Sequence, residues 1–414
     1  MSIDSASSRF LPRRSVLAVA TVFFVSCGGG EGATAPPESR APVITVAGVE
    51  SGSVLVEPVT ITVSVDVGTF VATLNGQTFF SGTSVSEPAS YVLRVEAQNA
   101  GFTTELEVTF EIRFAGDGVL IIRMLNLGDN NSGGGGDAIL VTDSTAFGQR
   151  HMLIDAGPAG TGGSDPDFVQ ERLYALGVDT LEVLLLSHAH TDHFDGMADV
   201  LSDIFVRTFY YNGQVRTLTQ YQAVLDLAAA RAGRRVSVQE QVDFTLGFGA
   251  TTSISVVAPL TTHLANPNAD GSEINEGSLG VALTRGSFRM FFTGDGEVAA
   301  NRRWRTQFAE MTESLSILKV GHHGANDAVF DNGSSGASLW LAHTAPEVQV
   351  ITANGATHPR IRAIAALLGQ VGATTFCTNV HGDLEIRVGQ AGAYTVVPER
   401  NQGMDCVPGD EASS

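Results

Sequence analysis

The chain has 414 residues, of which 43% are hydrophobic and 16% are charged, and its formal net charge is −20. This composition excludes a globally disordered chain and predicts two or three domains with packed cores. The acidic balance argues against undirected adhesion to nucleic acid, because a negatively charged surface repels polyanions, and no stable nucleic-acid complex is expected.

The first 27 residues have the character of an export signal. Two arginines precede an apolar run, residues 16–25, that is too short to span a bilayer as a mature helix. The run ends at Ser26 and Cys27, and glycines follow, so the segment resembles a bacterial lipoprotein signal in which Cys27 is acylated. The resemblance implies a lipid anchor in the bacterial cell envelope, with the outer membrane or cell surface favoured. A cleaved secretory peptide or a retained apolar anchor is the alternative.

A tether and a β-rich segment are expected next. Residues 28–41 are rich in Gly, Ala, Pro, Ser and Glu, which predicts a flexible tether. Residues 42–116 alternate apolar and polar side chains over short runs, and Asn75-Gly76 between two such runs predicts a hairpin turn. About six or seven strands are expected here, and the segment resembles the immunoglobulin-like β-sandwiches of bacterial surface proteins. The resemblance implies a stalk or a carbohydrate-binding module, and a spacer is favoured because the segment has no aromatic ladder or acidic cluster that would indicate a ligand.

Residues 117–398 alternate strand patterns with helix patterns, which predicts an α/β domain. The clearest strand is the run at residues 181–186, which is apolar except for Glu182 and is expected to be buried on both faces. Helical patterns occupy residues 165–176 and 221–233. Residues 399–414 remain as a C-terminal tail.

The strongest chemical signal follows the apolar run directly. The stretch Ser187-His188-Ala189-His190-Thr191-Asp192-His193 holds three histidines and one aspartate. Imidazoles and carboxylates bind the metal ions that activate water, and such sites keep positions open for substrate. His188 and His190 lie two positions apart where a strand becomes a loop, so both can bind one ion. Asp192 and His193 can bind a second. A solvated histidine-rich loop is the alternative.

A His-x-His-x-Asp-His run after a buried strand is the signature of the metallo-β-lactamase superfamily, and the chain resembles that family in further motifs. The other matching segments, in the family's order, are residues 136–141, 153–157, 275–281, 291–295, 318–324 and 354–359. Together they resemble the soluble metallo-hydrolase domain of the competence DNA-uptake protein ComEC and its stand-alone relatives. Choline-phosphate esterases of bacterial surfaces are similar in the same motifs. The resemblance covers about residues 118–390 and implies an αββα sandwich.

The resemblance also implies two divalent metal ions, zinc or manganese. The expected ligands are His188 and His190 for the first ion, Asp192, His193 and His323 for the second, and Asp295 for both. His322 and His358, with Asp192, are the expected catalytic residues. His322 would face the substrate, although the reverse assignment of His322 and His323 stays open. His358 would hydrogen-bond a substrate oxygen or protonate the leaving group.

Other residues are expected to support this site or are left open. Asp155, Asn275 and Ser278 would hold the ligands by hydrogen bonds from behind. Residues 274–278 lack the histidine that many family members use for the first ion, as does the ComEC-like branch. The first site is therefore expected to be weak or to favour manganese. His263 would replace that histidine only if its loop folds back.

Several further features have two interpretations each. The glycine-rich loop at residues 128–136 is a flexible hairpin or a phosphate cradle. Cys377 and Cys406 are either paired in an oxidising compartment or free. The arginines of residues 302–305 either meet an anionic substrate or lie on a solvated helix face. Three histidines outside the motifs are expected on the surface or in the core: His151, His343 and His381.

The favoured function is hydrolysis of a phosphodiester, in nucleic acid or in a phosphorylated surface polymer, by a metal-bridging hydroxide. A lactone, a β-lactam or another ester is the alternative substrate class, because this fold hosts many reactions. A surface-binding protein without catalysis is the third possibility, and the complete set of ligands argues against it. The expected partners are a substrate with an ester or phosphodiester bond and a membrane reached through the N-terminal lipid.

Overall fold

A computed structural model gives the fold of most of the chain. It describes residues 39–55, 58–86, 89–112, 118–128, 135–145, 148–158, 168–246, 252–331 and 337–409. The predicted signal with Cys27, most of the tether at residues 28–41 and most of the glycine-rich loop at residues 128–136 lie outside these residues. Within the described ranges, no helix is both long and apolar enough to cross a bilayer.

The described residues between Ile44 and Ile112 form strands joined by turns and bends, with no helix among them. In chain order these are β1 (Ile44–Ala47), β2 (Ser53–Leu55), β3 (Val59–Val65), β4 (Thr69–Leu74), β5 (Gln77–Thr78), β6 (Thr83–Val85), β7 (Ala89–Asn99) and β8 (Phe102–Ile112). One sheet has the order β1-β3-β6 and the other has the order β2-β8-β7-β4-β5. Apolar side chains of both sheets, among them Ile61, Leu93 and Phe110, form one buried core.

The predicted hairpin turn joins β4 and β5, and Asn75 and Gly76 have φ values of 50° and 79°. Both values suit the tight turn that favours Asn-Gly, because glycine and asparagine tolerate positive φ. The structure thus contains a small pair of β-sheets at this place. Its immunoglobulin-like class and its role as a spacer stay predictions.

The remaining strands form two larger sheets. They are β9 (Val119–Met124), β10 (Ile139–Thr145), β11 (Gly148–Ile154), β12 (Thr180–Leu186), β13 (Phe205–Tyr211), β14 (Arg234–Ser237), β15 (Val242–Leu246), β16 (Thr252–Val257), β17 (Gly280–Arg285), β18 (Phe288–Phe292), β19 (Ile317–Lys319), β20 (Val348–Ile351), β21 (Thr374–Cys377), β22 (Leu384–Val388) and β23 (Tyr394–Pro398). Among the described residues, the first sheet has the order β14-β13-β12-β11-β10-β9-β22-β23 and the second has the order β15-β16-β17-β18-β19-β20-β21.

Helices cover the outer faces of both sheets. They are α1 (Phe168–Ala175), α2 (Thr191–Phe194), α3 (Met197–Asp203), α4 (Thr219–Arg231), α5 (Gly271–Glu276), α6 (Val298–Gln307), α7 (Ala309–Thr312), α8 (Asn326–Val329), α9 (Leu339–Thr344), α10 (Ile361–Leu368) and α11 (Thr378–His381), with a 3₁₀ turn at His322–Gly324. Side chains of α1, α3 and α4 share a core with the first sheet, and those of α6, α9 and α10 share one with the second.

The two sheets face each other across a third core, in which Ile122 and Leu185 of the first sheet meet Val281 and Ile317 of the second. The layer order is therefore helix, sheet, sheet, helix, which is consistent with the predicted αββα sandwich. One buried ion pair also links the sheets: Arg285 Nη1 of β17 lies 3.1 Å from Asp143 Oδ2 of β10, and each side chain is 1% exposed.

The predicted helix limits differ slightly from the observed ones. The pattern at residues 221–233 corresponds to α4, which begins at Thr219 and ends at Arg231. Ala232 is already extended, and Gly233 passes close to the Arg207 carbonyl as the chain turns to pair β14 with β13. Strand pairing thus ends the helix before its glycine. The pattern at residues 165–176 corresponds to α1, and residues 165–167 lie outside the described ranges.

Candidate metal centre

The predicted ligands follow the carboxyl ends of parallel strands. β12 ends at Leu186, directly before the histidine run, and β18 and β19 end shortly before Asp295 and His322. β11 is parallel to β12, and β18, β19 and β20 are mutually parallel. Side chains that follow such strands meet at the same edge of a sheet, as in other α/β sites. The two sheets bring these edges together.

Two groups of donor atoms share the carboxylate of Asp295. The groups are His188, His190 and Asp295, and Asp192, His193, Asp295 and His323, each with its donor atoms within 4.8 Å of one another. Asp295 Oδ2 lies 3.2 Å from His193 Nε2, 3.3 Å from His323 Nε2 and 3.8 Å from His188 Nε2. The structure therefore gathers every predicted metal ligand and places Asp295 between the two groups.

Divalent cations fit this arrangement. His193 Nε2, His323 Nε2 and Asp295 Oδ1 are buried without a hydrogen-bond partner among the described residues. Buried polar atoms almost always have a partner. Three atoms without a hydrogen bond in one cluster therefore fit a site in which a cation is their partner. Imidazole nitrogens and carboxylate oxygens at this spacing suit zinc or manganese.

Hydrogen bonds on the far side of three imidazoles direct Nε2 of each toward the cluster. His193 Nδ1 lies 2.8 Å from Asp155 Oδ2, and His323 Nδ1 lies 2.8 Å from the carbonyl oxygen of Thr352. His188 Nδ1 lies 3.0 Å from Ser187 Oγ, which itself donates to Asp155 Oδ2 at 2.6 Å. An acceptor at Nδ1 keeps the proton there and leaves the Nε2 lone pair for a cation.

The carboxylates also change the pKa values of these imidazoles. Burial alone lowers the pKa of His323, but Asp295 and Asp192 raise it to about 9. Burial likewise opposes the charge on His193, but Asp295 and other carboxylates raise its pKa well above the ordinary value. Burial and the neighbouring His193 lower the pKa of His188 well below its ordinary value. Without cations, protons therefore compensate the carboxylates of the second group.

His322 lies beside the cluster and belongs to neither of the two groups. Its Nδ1 is 3.1 Å from Glu297 Oε1 and 3.6 Å from Asp327 Oδ1, and 26% of its side chain is exposed. Asn275 donates from Nδ2 to Glu297 Oε1 at 2.7 Å. His322 and His323 both have positive φ, 43° and 52°, a conformation that is uncommon outside glycine and often occurs at functional sites. This geometry corresponds to the assignment in which His323 is the ligand.

His358 completes the accessible edge of the cluster. The centre of its ring lies 5.3 Å from that of His322 and 6.2 Å from that of His323. Its Nδ1 is 3.1 Å from Thr357 Oγ1. Burial, together with the two neighbouring imidazoles, lowers the pKa of His358 to about 3, so its ring is neutral. Two partly exposed imidazoles that are in neither donor group thus lie side by side at the edge of the cluster.

The other predicted supporting residues also lie at the cluster, whereas His263 does not. Ser278 Oγ accepts a hydrogen bond from Asp295 N at 3.1 Å, and this bond fixes the backbone of the shared ligand. His263 Nδ1 lies 3.1 Å from Glu273 Oε1, and its side chain is 38% exposed. His263 belongs to neither donor group, so the first group has three protein ligands among the described residues.

Sequence reasoning missed a buried ion pair under the cluster. Lys319 Nζ lies 2.5 Å from Asp137 Oδ2 and donates to the Gly294 carbonyl at 2.9 Å. Asp137 Oδ1 accepts a hydrogen bond from Thr352 Oγ1, and the carbonyl oxygen of Thr352 is the partner of His323 Nδ1. One signal was available: Lys319 is the only lysine in the sequence and directly precedes Val320, Gly321 and the histidine pair. Glu297 and Asp327, beside His322, were also missed.

The arginines of residues 302–305 do not face the cluster. Arg302 donates to the Asp331 carbonyl and Arg305 to the Asp331 carboxylate. Arg303 donates to the Ala258 carbonyl. All three arginines of this run are bound to groups of the chain itself, so the structure gives no support to their contact with an anionic substrate.

Two facing sheets between helices, with a shared aspartate and a His-x-His-x-Asp-His run at the end of a strand, are consistent with a metallo-β-lactamase fold. A family model described as "Beta-lactamase superfamily domain" matches residues 150–314. This segment includes the histidine run and Asp295, whereas the histidine pair and His358 lie beyond it. No curated protein matches the chain.

Solved structures with distant similarity include three different activities. CmlA, a diiron β-hydroxylase from Streptomyces venezuelae, is 14% identical, with 66% of this chain and 54% of that chain covered and a TM-score of 0.40. The chain thus spans about half the length of CmlA. A diphosphatase of the PhnP family is 13% identical, with 65% of this chain and 98% of that chain covered and a TM-score of 0.36. AidC, a dizinc quorum-quenching lactonase, is 10% identical, with 77% and 97% covered and a TM-score of 0.28. None of them assigns a substrate to this chain.

Proposed function

We propose that this chain is an exported metal-dependent hydrolase of phosphodiesters, acting on nucleic acid or on a phosphorylated surface polymer. The observation that carries the proposal is the pair of donor groups that share Asp295, in which the Nε2 atoms of His193 and His323 are buried and make no hydrogen bond. Two divalent ions bound there, zinc or manganese, would lower the pKa of a bound water toward neutrality and so supply the nucleophile.

The chain's own residues hold the ligands in place before substrate arrives. Asp155 and the Thr352 carbonyl fix the orientation of His193 and His323, and Ser187 does the same for His188. A centre with fixed ligands does not have to reorganise as charge develops, which is the main source of electrostatic catalysis. Asp192 contributes a carboxylate that is 3.3 Å from His323 Nε2 and borders the same space.

His322 and His358 supply the contacts that favour a phosphodiester. Both imidazoles lie outside the donor groups and adjacent to each other at the accessible edge. Ring N–H groups in this place can donate to the non-bridging oxygens of a phosphoryl group or to its leaving group. A net charge of −20 opposes long polyanions, so short or locally presented diesters are the favoured substrates.

The two ion sites are proposed to differ in affinity. The first group offers His188, His190 and Asp295, whereas the second offers four ligands. Fewer protein ligands leave more coordination positions for water, and manganese accepts water ligands more readily than zinc does. We therefore place the tighter ion in the second group.

Export and a lipid anchor at Cys27 form the second half of the proposal. The lipoprotein-like signal at residues 1–27 supports it. The disulfide between Cys377 and Cys406 supports it as well, because disulfides persist in oxidising compartments such as the periplasm and cell surface. In this arrangement the β-rich segment before residue 117 holds the catalytic domain away from the membrane.

The test uses the soluble chain lacking residues 1–27. Its metal content is measured by plasma mass spectrometry, and its turnover of bis-p-nitrophenyl phosphate and short DNA is measured with added Mn²⁺ or Zn²⁺. About two ions per chain are expected. Turnover should be lost in His190→Ala and Asp295→Ala and kept in His263→Ala, the matched control outside both groups.

Other outcomes would replace the proposal. Diester turnover that persists in Asp295→Ala would rule out the metal centre as its source. Turnover restricted to nitrocefin or chromogenic esters would show a lactone, β-lactam or ester hydrolase. A chain that binds no metal, and whose melting temperature does not rise when metal is added, would be a surface-binding protein without catalysis.

A further inference from the structure

The C-terminal segment folds back onto the loop that carries His358. Gly409 N donates to the Pro359 carbonyl at 2.9 Å. A Cβ atom at Gly409 would lie 2.8 Å from His358 N and about as close to the carbonyl carbons of Thr357 and Ala356, at 3.0 Å and 3.1 Å. A side chain there would force these backbone atoms to move. Gly409 is therefore in direct contact with the backbone of the His358 loop.

Two fixed points hold this segment just before Gly409. Cys406 is bonded to Cys377, and both are buried. His381 lies between the segment and β21: its Nε2 is 3.0 Å from the Met404 carbonyl oxygen, and its Nδ1 accepts from Cys377 N at 3.0 Å. One imidazole thus bonds to the backbone at both sides of the disulfide. His381 is 0% exposed, and its bond to Cys377 N is buried.

The loop and the residues before it also contact α11, which begins directly after Cys377. Thr378 Oγ1 accepts from Ala353 N at 3.0 Å. A Cβ atom at Gly355 would lie 3.0 Å from Asn379 Nδ2, so the loop backbone also touches this helix. The His358 loop, residues 355–359, thus contacts both α11 and Gly409. The disulfide joins Cys377, directly before α11, to Cys406, three residues before Gly409.

The same loop contacts the turn that carries the histidine pair. Arg360 N donates to the Gly324 carbonyl at 3.0 Å. A Cβ atom at Gly324 would lie 2.7 Å from Pro359 Cβ, so the two backbones are closely packed. A displacement of the His358 loop would therefore change the spacing between His358 and His322, whose ring centres are 5.3 Å apart.

We infer that residues 404–409 form a C-terminal latch that holds the His358 loop in place. Gly409 is a positioning residue, because it acts on the substrate only through the backbone of His358. The disulfide fixes the latch, and α11 provides a second contact for the loop. The consequence for turnover rests on the proposed function, since there His358 contacts the substrate.

The test compares Gly409→Val and Cys406→Ser with Val371→Ala, a control outside the latch at a fully exposed position. Hydrogen exchange by mass spectrometry measures the opening of residues 355–359 without any substrate. Both test variants should exchange faster there, with metal content equal to that of the parent. Their kcat for the diester should fall roughly tenfold to a hundredfold, as expected for a misplaced catalytic group. If Gly409→Val fails to fold, a chain that ends at Val407 keeps the disulfide and removes Gly409.

A double variant separates positioning from general damage. In a His358→Ala background, Gly409→Val should cause no further loss of kcat, because the residue through which it acts is gone. An equal loss in both backgrounds would overturn the positioning role, and unchanged exchange in folded test variants would overturn the latch. If the parent turns over no diester while the exchange result holds, the latch stands and the proposed function fails.

Discussion

His193 and Asp155 are both fully buried, and His193 Nδ1 lies 2.8 Å from Asp155 Oδ2. Asp155 also accepts two bonds from Ser187, at 2.7 Å from N and at 2.6 Å from Oγ. With both oxygens occupied, its carboxylate cannot turn away from the imidazole. Asp155 therefore determines the orientation of a ligand without being in either of the donor groups that include Asp295.

Replacing Asp155 should weaken the second ion. Asp155→Asn removes the carboxylate that keeps a proton on His193 Nδ1, and loss of such a partner typically costs about 10- to 100-fold in metal affinity. Competition with a chelating dye measures the change. Asp405→Asn, at an exposed aspartate, is the control and should leave the affinity unchanged. Equal affinities in the two variants would contradict the role of Asp155.

Metal affinity should rise with pH. His323 binds an ion only when neutral, and in the metal-free protein its pKa is raised to about 9. The affinity for the second ion should therefore increase by up to about tenfold per pH unit below pH 9, with further steepness from His193, and then level off. Chelator competition at several pH values measures this slope. A flat profile between pH 6.5 and about 8.5 would contradict it.

The stability of the metal-free protein should show the opposite trend for this group. The pKa of His323 is about 9 when folded and 6.5 as its ordinary value, so the protonated imidazole stabilises the fold. This contribution is complete below about pH 6.5 and is lost as the pH rises through about 9. The free energy of unfolding of His323→Ala, compared with that of the parent along this range, isolates the contribution. The difference in free energy of unfolding that is due to the charge on His323 should disappear at high pH.

The ion pair of Lys319 and Asp137 should be strongly coupled. Lys319→Met leaves the buried Asp137 carboxylate without its cation, which typically costs about 3–5 kcal/mol in the free energy of unfolding. The double variant Lys319→Met with Asp137→Asn removes both charges and should regain part of that loss. Urea unfolding of the metal-free chains measures both. If the double variant lost as much free energy of unfolding as the two single variants together, the pair would not be coupled.

The ion pair between the sheets should affect stability alone. Arg285→Met leaves Asp143 buried and uncompensated, so a loss of about 3–5 kcal/mol is expected, with metal affinity unchanged in the folded protein. Arg94→Met is the control, because its pair with Glu107 is exposed, at 72% and 52%, and such pairs contribute about 0–1 kcal/mol. If folded Arg285→Met lost metal, this would contradict the prediction that the ion pair affects stability but not metal affinity.

The sequence predicts those parts of the structure that depend on local pattern. Strands such as β12 and the Asn75-Gly76 turn follow from periodicity and turn chemistry, because both are determined by neighbouring residues. The histidine run is recognisable because four ligand residues are adjacent in sequence. Asp295 and His323 were reached through the resemblance, since nothing in their spacing from the run implies proximity.

The parts that the sequence did not predict depend on contacts between distant segments. Asp137 meets Lys319, Thr352 meets His323 and Gly409 meets Pro359 only after both sheets have packed. In each of these contacts the two residues are far apart in sequence and belong to no common motif. The pairing of Cys377 with Cys406 is of the same kind, because spacing along the chain does not determine whether two cysteines approach each other.

The burial of Lys319 has a practical consequence for chemical labelling. It is the only lysine of the chain and is 0% exposed, so acylating reagents find no lysine on the folded surface. Acylation of Lys319 therefore requires the fold to open, and its rate reports how often this happens. Bound cations should slow that rate, since they stabilise the closed state. The acylation rate of this one buried amine thus measures how often the metal centre opens.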